Sequence, residues 1–271
     1  MDKLNFGTAG IPHSTDGDTL NGIQQVRKLG LDNMELEFVR SVNISKEKAP
    51  LVNKIAKKNE VILTTHGPYY INLNSDEASK LKASKERILN SARISFLCGC
   101  YSVCFHPGYY LKQEKVKVYG KIKQQLKEIA KTLKNEGNNI WIRPETTGKF
   151  TQFGDLDEII KLSQEIEQVL PCVDFAHLHA KGGKNNTYDE FIFILEKIEK
   201  GLGKEAIKNM HIHIAGIEYN GTGERRHLNL NGSDMNYKDL LKAWKDFGIK
   251  GVVVCETPNQ EDDAIMLKKL Y

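Results

Sequence analysis

The chain has 271 residues, 40% of them hydrophobic, so it can bury a substantial core, and we expect one domain spanning residues 1–271. The segment MDKLNFGTAG lacks the basic and apolar parts of a signal peptide, and no later stretch reaches the roughly 18 to 20 apolar residues of a membrane span, so we expect a cytoplasmic protein. A formal net charge of +4 allows a polyanionic partner without indicating one.

Short runs rich in β-branched and apolar residues recur along the whole chain. In order they are LNFGT, NMELEFV, VILTTH, YSVCFH, IWIRPE, CVDFAH, MHIHIA and VVVCET. Helical periodicity follows each run, from TLNGIQQVRKLG after the first to EDDAIMLKKLY after the last. This strict alternation predicts a parallel sheet, and its number of units predicts a closed (β/α)₈ barrel. A doubly wound open sheet is the alternative, but its G-x-G-x-x-G fingerprint is absent after the first run.

The cysteines indicate free thiols. There are five, an odd number, and most lie beside Val, Leu, Phe or Tyr in segments that are predicted to be buried. Cys98 and Cys100 form a Cys-x-Cys pair, whereas zinc sites normally use the wider C-x₂₋₄-C spacing. We therefore expect structural thiols in a reducing compartment.

Side chains that can bind metal ions fall at one consistent place, at the end of a strand run or just after it. They are His66, His106, Glu145, Asp174, His177, His211, His213 and Glu256. In a barrel of this type these positions converge on the carboxyl-terminal mouth, where barrel enzymes hold their active sites. Burying so many imidazoles and carboxylates without a metal ion would leave costly unpaired groups. The pattern therefore predicts a metal site at the mouth.

The composition of this set indicates the kind of site. Mixed imidazole and carboxylate ligands suit zinc, manganese or iron, whereas magnesium and calcium favour oxygen ligands alone. About three or four protein groups complete a catalytic zinc site, so this larger set predicts about two or three ions that share a carboxylate. Closely spaced ions are well suited to phosphoester hydrolysis.

The segments HGPYYINL, FHPG, PETTGK, VDFAHLHA and CETP together resemble the signature blocks of the endonuclease IV family. Members are zinc-dependent apurinic/apyrimidinic endonucleases with a xylose-isomerase-like TIM barrel, and the resemblance is to archaeal-type members. It implies that one zinc ion would be held by His66, His106 and Glu145. Glu145 would bridge to a second ion, whose other ligands would be Asp174, His213 and Glu256.

A third ion, taking His177 and His227, is implied by the same resemblance. Bacterial members carry His-Leu-Asn-Asp-Ser after the seventh strand and then Asp-Arg-His, where this chain has HIHIAGIEYNGTGERRH. Arg225 therefore stands where the aspartate ligand is expected, and Glu224 can replace it only if the loop shifts by one residue. His211 competes with His213 because alternate strand residues share a face, and we favour His213 as the nearer to the mouth.

The resemblance implies base excision repair as the activity. The substrate would be double-stranded DNA, cut on the 5′ side of an abasic site by a monomer that uses zinc, with manganese as the alternative. Glu145 and Glu256 would act in catalysis by positioning the metal ions and the attacking water. Residues expected to contact DNA are Arg40, Tyr69, Arg225 and Arg226, since basic and aromatic loops grip phosphates and help to flip a nucleotide.

Two other functions fit the same barrel. A sugar isomerase or epimerase would use a mostly carboxylate site around one or two divalent ions, and the pair of His66 and His106 argues against it. A non-catalytic DNA-binding barrel would keep its ligands without cleaving, and the altered loop after the seventh strand favours it. The count of bound metal ions separates the nuclease from the isomerase.

Overall fold

The computed structural model describes residues 1–271 and shows eight parallel strands wound into a barrel. These strands are β1 (Leu4–Ala9), β2 (Asn33–Glu37), β3 (Ile62–His66), β4 (Ser102–Phe105), β5 (Trp141–Pro144), β6 (Cys172–Asp174), β7 (Met210–Ile214) and β10 (Gly251–Cys255). They are ordered β5-β4-β3-β2-β1-β10-β7-β6. Single bridges at Ile142–Val169 and Glu145–Cys172 join β5 to β6 and close the ring, so the predicted (β/α)₈ fold is confirmed.

Helices cover the outside of the barrel. They are α1 (Thr19–Lys28), α2 (Ala49–Lys58), α3 (Ala78–Leu97), α4 (Lys115–Asn135), α5 (Leu156–Glu165), α6 (Phe175–Ala180), α7 (Tyr188–Leu202), α8 (Lys204–Ile207), α9 (Tyr237–Phe247) and α10 (Glu261–Leu270). None of them combines the length and the apolar composition needed to cross a membrane.

The hydrophobic core lies between the strands and these helices. A single cluster of 62 buried residues joins outward strand side chains such as Ile212 and Val253 to helix residues such as Trp244. Periodicity explains the arrangement, because helices with apolar residues on one face can pack on a sheet only through that face.

The inside of the barrel is polar. Glu35 on β2 contacts His211 and His213 on β7, although β1 and β10 lie between β2 and β7 in the sheet. Such a contact is possible only across the barrel interior. Most barrels of this type fill that space with branched apolar side chains, so polar groups here must be held by one another or by a bound group.

A β-hairpin follows β7, where the sequence predicts a loop. Strands β8 (Gly216–Asn220) and β9 (Gly223–Leu228) pair antiparallel around a short turn, and Gly223 at its end has a φ of 107°, which favours glycine. Tyr219 pairs with Glu224, and Glu218 pairs with Arg226, so Arg225 is an extra residue that forms a β-bulge. This bulge determines which side chains of β9 face the barrel.

Candidate metal centre

Most of the predicted ligands lie at the end of a strand or directly after one, so they meet at the carboxyl-terminal mouth. His66 ends β3, Asp174 ends β6 and His213 lies near the end of β7. His106, Glu145 and Glu256 come directly after β4, β5 and β10. His177 was placed in the sixth strand run by the sequence, but β6 ends at Asp174, whose carboxylate accepts a hydrogen bond from the His177 backbone and caps α6. His177 therefore reaches the mouth from a helix.

Glu145 lies at the centre of the cluster. Its Oε2 is 3.3 Å from His66 Nε2 and 3.2 Å from His106 Nε2. Its Oε1 is 3.1 Å from His177 Nδ1 and 3.5 Å from His213 Nδ1. The two oxygens of one carboxylate thus face two different groups of imidazoles, which is the arrangement needed by a ligand that joins two ions.

A second group of possible ligands, around His213, consists mainly of carboxylates. Potential ligand atoms of Glu145, Asp174, His213 and Glu256 all lie within 4.8 Å of one another. His213 Nδ1 is 3.3 Å from Glu256 Oε1. One imidazole and three carboxylates match the donor preferences of zinc and manganese.

The third group includes the hairpin. Asp174, His177 and His227 offer atoms within 4.8 Å of one another, and Glu224 Oε2 is 3.4 Å from His177 Nε2. In a regular strand, residues three apart point to opposite faces, so Glu224 and His227 would not face the same site. The bulge at Arg225 shifts the alternation by one residue and turns both toward the mouth. This is the kind of shift that Glu224 needs in order to replace the aspartate.

Several buried atoms of this cluster make no hydrogen bond within the protein. They are both carboxylate oxygens of Glu145, Oδ2 of Asp174, Nδ1 of His213 and Nε2 of His227. Unpaired buried polar atoms are costly, and here they all point into one shared space. The residues therefore fit a group of bound metal ions.

Backbone carbonyls orient three of the histidines in the same way. Nδ1 of His66 lies 2.7 Å from the Gly67 carbonyl, Nδ1 of His177 lies 3.0 Å from the Thr146 carbonyl, and Nδ1 of His227 lies 3.2 Å from the Glu256 carbonyl. In a neutral imidazole, donation from Nδ1 leaves Nε2 with a free lone pair. Metal-binding histidines are commonly held by such a contact on their other nitrogen.

The pKa values of several groups in the cluster are strongly shifted. Burial raises the pKa of Glu145, but the imidazoles of His106 and His213 outweigh burial and hold that pKa well below its usual range. Burial lowers the pKa of His66, and the carboxylates of Glu145 and its neighbours more than reverse this, so its pKa rises to about 10. Burial raises the pKa of Glu256. The protein thus holds negative charge at Glu145 that bound cations can neutralise.

Two carboxylates of β2 were missed by the sequence reasoning. Glu35 is fully buried inside the barrel, and Glu37 ends the same strand beside His66, its register partner on β3. Glu37 Oε1 is buried without a hydrogen-bond partner, and burial raises the pKa of Glu37 to about 8. The sequence does contain evidence for these two acids. Glu35 and Glu37 alternate with Met34, Leu36 and Phe38, which places both acids on one face of the strand.

His211 and His213 occupy different levels of the barrel. His213 reaches Glu145 and Glu256 at the mouth, whereas His211 lies 3.0 Å from Glu35 and 3.0 Å from the Ser102 hydroxyl, deeper in the barrel. This geometry favours His213 as the ligand, as the sequence did.

The four residues expected to bind DNA are distributed unequally around the mouth. Tyr69 lines the cavity of about 440 Å³ above the ligands, and its ring lies 5.7 Å from that of His66. Arg225 and Arg226 are exposed on the hairpin, where Glu218 pairs with Arg226 at 2.6 Å and lies 3.8 Å from Arg225. Arg40 instead lines a separate groove of about 820 Å³ with Arg87 and Arg93.

Comparison with other sequences identifies relatives along nearly the whole chain. A sequence model of xylose isomerase-like TIM barrels matches residues 23–269. An uncharacterized protein of Methanocaldococcus jannaschii is 48% identical over 269 residues, 99% of this chain and 97% of that protein. A protein of Nitratidesulfovibrio vulgaris strain Hildenborough, named "Probable endonuclease 4", is 24% identical over 94% of this chain and 93% of its own.

Two solved structures share the architecture. Endonuclease IV from Thermus thermophilus superposes with a TM-score of 0.75 and 16% identity over 97% of both chains. A D-tagatose 3-epimerase-like protein superposes with a TM-score of 0.74 and 20% identity over 98% of this chain and 95% of its own. At these identities the likeness establishes a common fold, and the chemistry must be argued from the site.

Proposed function

The chain belongs to the xylose isomerase-like TIM barrel family, and from that premise we propose that it is a zinc-dependent endonuclease that cleaves DNA on the 5′ side of abasic sites. The observation that carries the proposal is the number of imidazoles beyond the carboxylate group. Glu145, Asp174, His213 and Glu256 would suffice for one ion. His66 and His106 add ligands on the other oxygen of Glu145.

The hairpin contributes further possible metal ligands. His177, Glu224 and His227 form a further set of donors beside Asp174, so the chain offers ligands for about three ions. A multinuclear centre suits the displacement at a phosphodiester, where charge develops on both the attacked phosphate and the departing oxygen. Zinc fits the mixture of imidazole and carboxylate, with manganese as the alternative.

Individual residues have distinct parts in the proposed reaction. Bound metal ions would supply positive charge for the attacked phosphate and make the attacking water more acidic. Glu145 would be a ligand to these ions, because its two oxygens face His66 and His106 on one side and His177 on the other. Glu256, whose oxygens lie toward His213 and His227, is placed to orient the attacking water and to accept its proton.

Exposed aromatic and basic side chains around the mouth support DNA as the substrate. Tyr69 and Tyr109 line the cavity and remain 59% and 38% exposed, so their rings can stack on bases of an opened duplex. Lys149 lines the same cavity, and Arg225 and Arg226 lie on the adjoining hairpin, where they can contact phosphate oxygens.

An epimerase acting on a ketose is the second candidate. The set of Glu145, Asp174, His213 and Glu256 would by itself hold one divalent ion beside a small cavity. The solved D-tagatose 3-epimerase-like protein has the same fold. This alternative assigns no part to His177, Glu224 and His227, although the bulge turns the two hairpin residues toward the mouth.

The deciding experiment uses the zinc-loaded protein and a labelled duplex with one abasic site, beside the same duplex undamaged. We expect cleavage only of the abasic duplex, leaving a 3′ end that a DNA polymerase can extend. Glu145→Gln should reduce the rate by roughly 1,000-fold or more, because an amide has only one oxygen to coordinate ions. Conversion of ketoses by protein that contains one manganese per chain, without DNA cleavage, would establish the epimerase instead.

A further inference from the structure

A row of polar side chains extends inward from the mouth. Glu35 Oε1 lies 2.9 Å from His213 Nε2, and Glu35 Oε2 lies 3.0 Å from His211 Nε2. On the other side of His211, the Ser102 hydroxyl lies 3.0 Å from Nδ1. All four side chains are fully buried. The row therefore connects the interior of the barrel to one candidate ligand without contact to solvent.

His213 is oriented in the opposite way to the other histidines of the mouth. His66, His177 and His227 place Nδ1 beside backbone carbonyls, which leaves Nε2 for a ligand. His213 places Nε2 beside Glu35 and directs Nδ1 toward Glu256 and Glu145, at 3.3 and 3.5 Å. A carboxylate that accepts a proton from one imidazole nitrogen makes the other nitrogen the metal ligand.

We propose that Glu35 is a positioning residue that fixes the tautomer of His213 and so presents Nδ1 to the metal ions. This inference rests on the metal site of the proposed function but not on its substrate. Ser102 lies beside His211 Nδ1, and His211 Nε2 lies 3.0 Å from the second oxygen of Glu35. One carboxylate thus faces imidazole nitrogens of two residues across the barrel.

A second metal site in the barrel interior is the competing explanation. Cys104, Cys172, His211 and His213 offer atoms within 4.8 Å of one another. The Cys104 sulfur, however, already contacts two members of the row, Glu35 Oε2 and His213 Nε2, each at 3.6 Å.

The test measures zinc binding to metal-free protein by competition with a chelator. Glu35→Gln should weaken the affinity for one zinc ion by roughly 10–100-fold, because a neutral amide is a weaker acceptor for the His213 N–H than a carboxylate. Asp32→Asn is the matched control: it removes another buried carboxylate next to β2, but one that contacts Lys3 and Lys268 at the opposite end of the strands. It should leave zinc affinity unchanged.

A spectroscopic measurement tests the same point without a substitution. In ¹⁵N spectra of the zinc-loaded wild-type imidazoles, His213 should carry its proton on Nε2, while His66, His177 and His227 carry theirs on Nδ1. A proton on Nδ1 of His213, or unchanged zinc affinity in folded Glu35→Gln, would overturn the proposal. So would an intense sulfur-to-cobalt charge-transfer band in the cobalt-loaded protein that disappears in Cys104→Ala. Loss of zinc affinity in a protein that cleaves no DNA would leave Glu35 in its role and reject only the endonuclease.

Discussion

The two sides of the barrel wall have different chemistry although the same strands form both. On β7, Ile212 and Ile214 point outward into the hydrophobic cluster, while His211 and His213 point inward to Glu35. Outward side chains can be exchanged for others of similar volume, because packing asks only for apolar groups that fit. Inward side chains are held by specific partners. The outer side therefore specifies the fold and the inner side the chemistry.

The difference also concerns stability. Burying apolar surface is the dominant favourable contribution to folding, whereas a buried ion pair often contributes little because both charges lose water. In this barrel the outer layer, with its cluster of 62 buried residues, must therefore supply most of the free energy of unfolding. Substitutions in the two layers should separate stability from metal binding.

The largest effect on stability is expected from Trp244→Ala. Trp244 is fully buried in the outer layer, and its ring lies 5.5 Å from that of Phe175. Removing it should lower the free energy of unfolding by roughly 3–5 kcal/mol, measured by guanidinium unfolding of the metal-free protein. The folded fraction should keep the metal content of wild type. Trp244→Phe, a smaller change, tests the same point if the alanine variant does not fold, and a loss of metal in folded protein would break the separation of layers.

A smaller loss is expected at the other end of the barrel, where Asp32 contacts Lys3 at 2.8 Å and Lys268 at 2.6 Å. Burial raises the pKa of Asp32, and the two lysines more than reverse this, so the net shift is downward. The ionised pair therefore stabilises the protein above the unfolded-state pKa, near 4, and this contribution disappears as pH falls through the lower folded-state pKa. Asp32→Asn should cost roughly 1–3 kcal/mol at neutral pH. A deficit that does not shrink in acid unfolding curves would contradict this assignment.

Glu224→Ala should change metal content more than stability. Glu224 lies on the hairpin, outside the hydrophobic cluster, and faces His177. We expect about one metal ion fewer per chain and slower cleavage, measured by elemental analysis and the abasic duplex assay. Glu218→Ala is the matched control, because Glu218 is an acid of the same hairpin that pairs with Arg226 instead. Equal metal content and DNA affinity in both variants would show that Glu224 is an ordinary surface residue.

The smallest effect is expected from Arg225→Ala, which touches neither layer of the wall. Arg225 is exposed on the bulge of β9, so its removal should weaken binding to abasic duplex only a few-fold. The slope of binding against salt concentration should fall by about one unit for each lost phosphate contact. Lys197→Ala is the control, because Lys197 lies on α7, outside the hairpin, and pairs with Asp157. It should leave this slope unchanged.

The sequence predicted the outer layer better than the inner one. Eight strands follow from apolar runs, since periodicity depends on neighbours along the chain, and each candidate ligand follows from its place at a strand end. Contacts across the barrel depend on register and tilt, which bring Glu35 and His211 together from distant segments. The acids of NMELEF were therefore assigned no role. The hairpin has a local signal, the Asn220-Gly221 pair at its turn, but it lies in a segment that the sequence predicts as a loop.

The joint between β5 and β6 has a consequence for motion. Two isolated bridges, Ile142–Val169 and Glu145–Cys172, join β5 to β6 and the residues before it, so a short stretch of pairing includes the residue at the centre of the metal cluster. Opening this joint would separate Glu145 from Asp174 across the gap. Metal ions bound to both would act as a clasp, and amide protons of the joint, such as Thr146 N–H bonded to the Cys172 carbonyl, should exchange with deuterium more slowly when metal is present. Metal binding would then reduce local opening between β5 and β6, at the same site where the ions would serve catalysis.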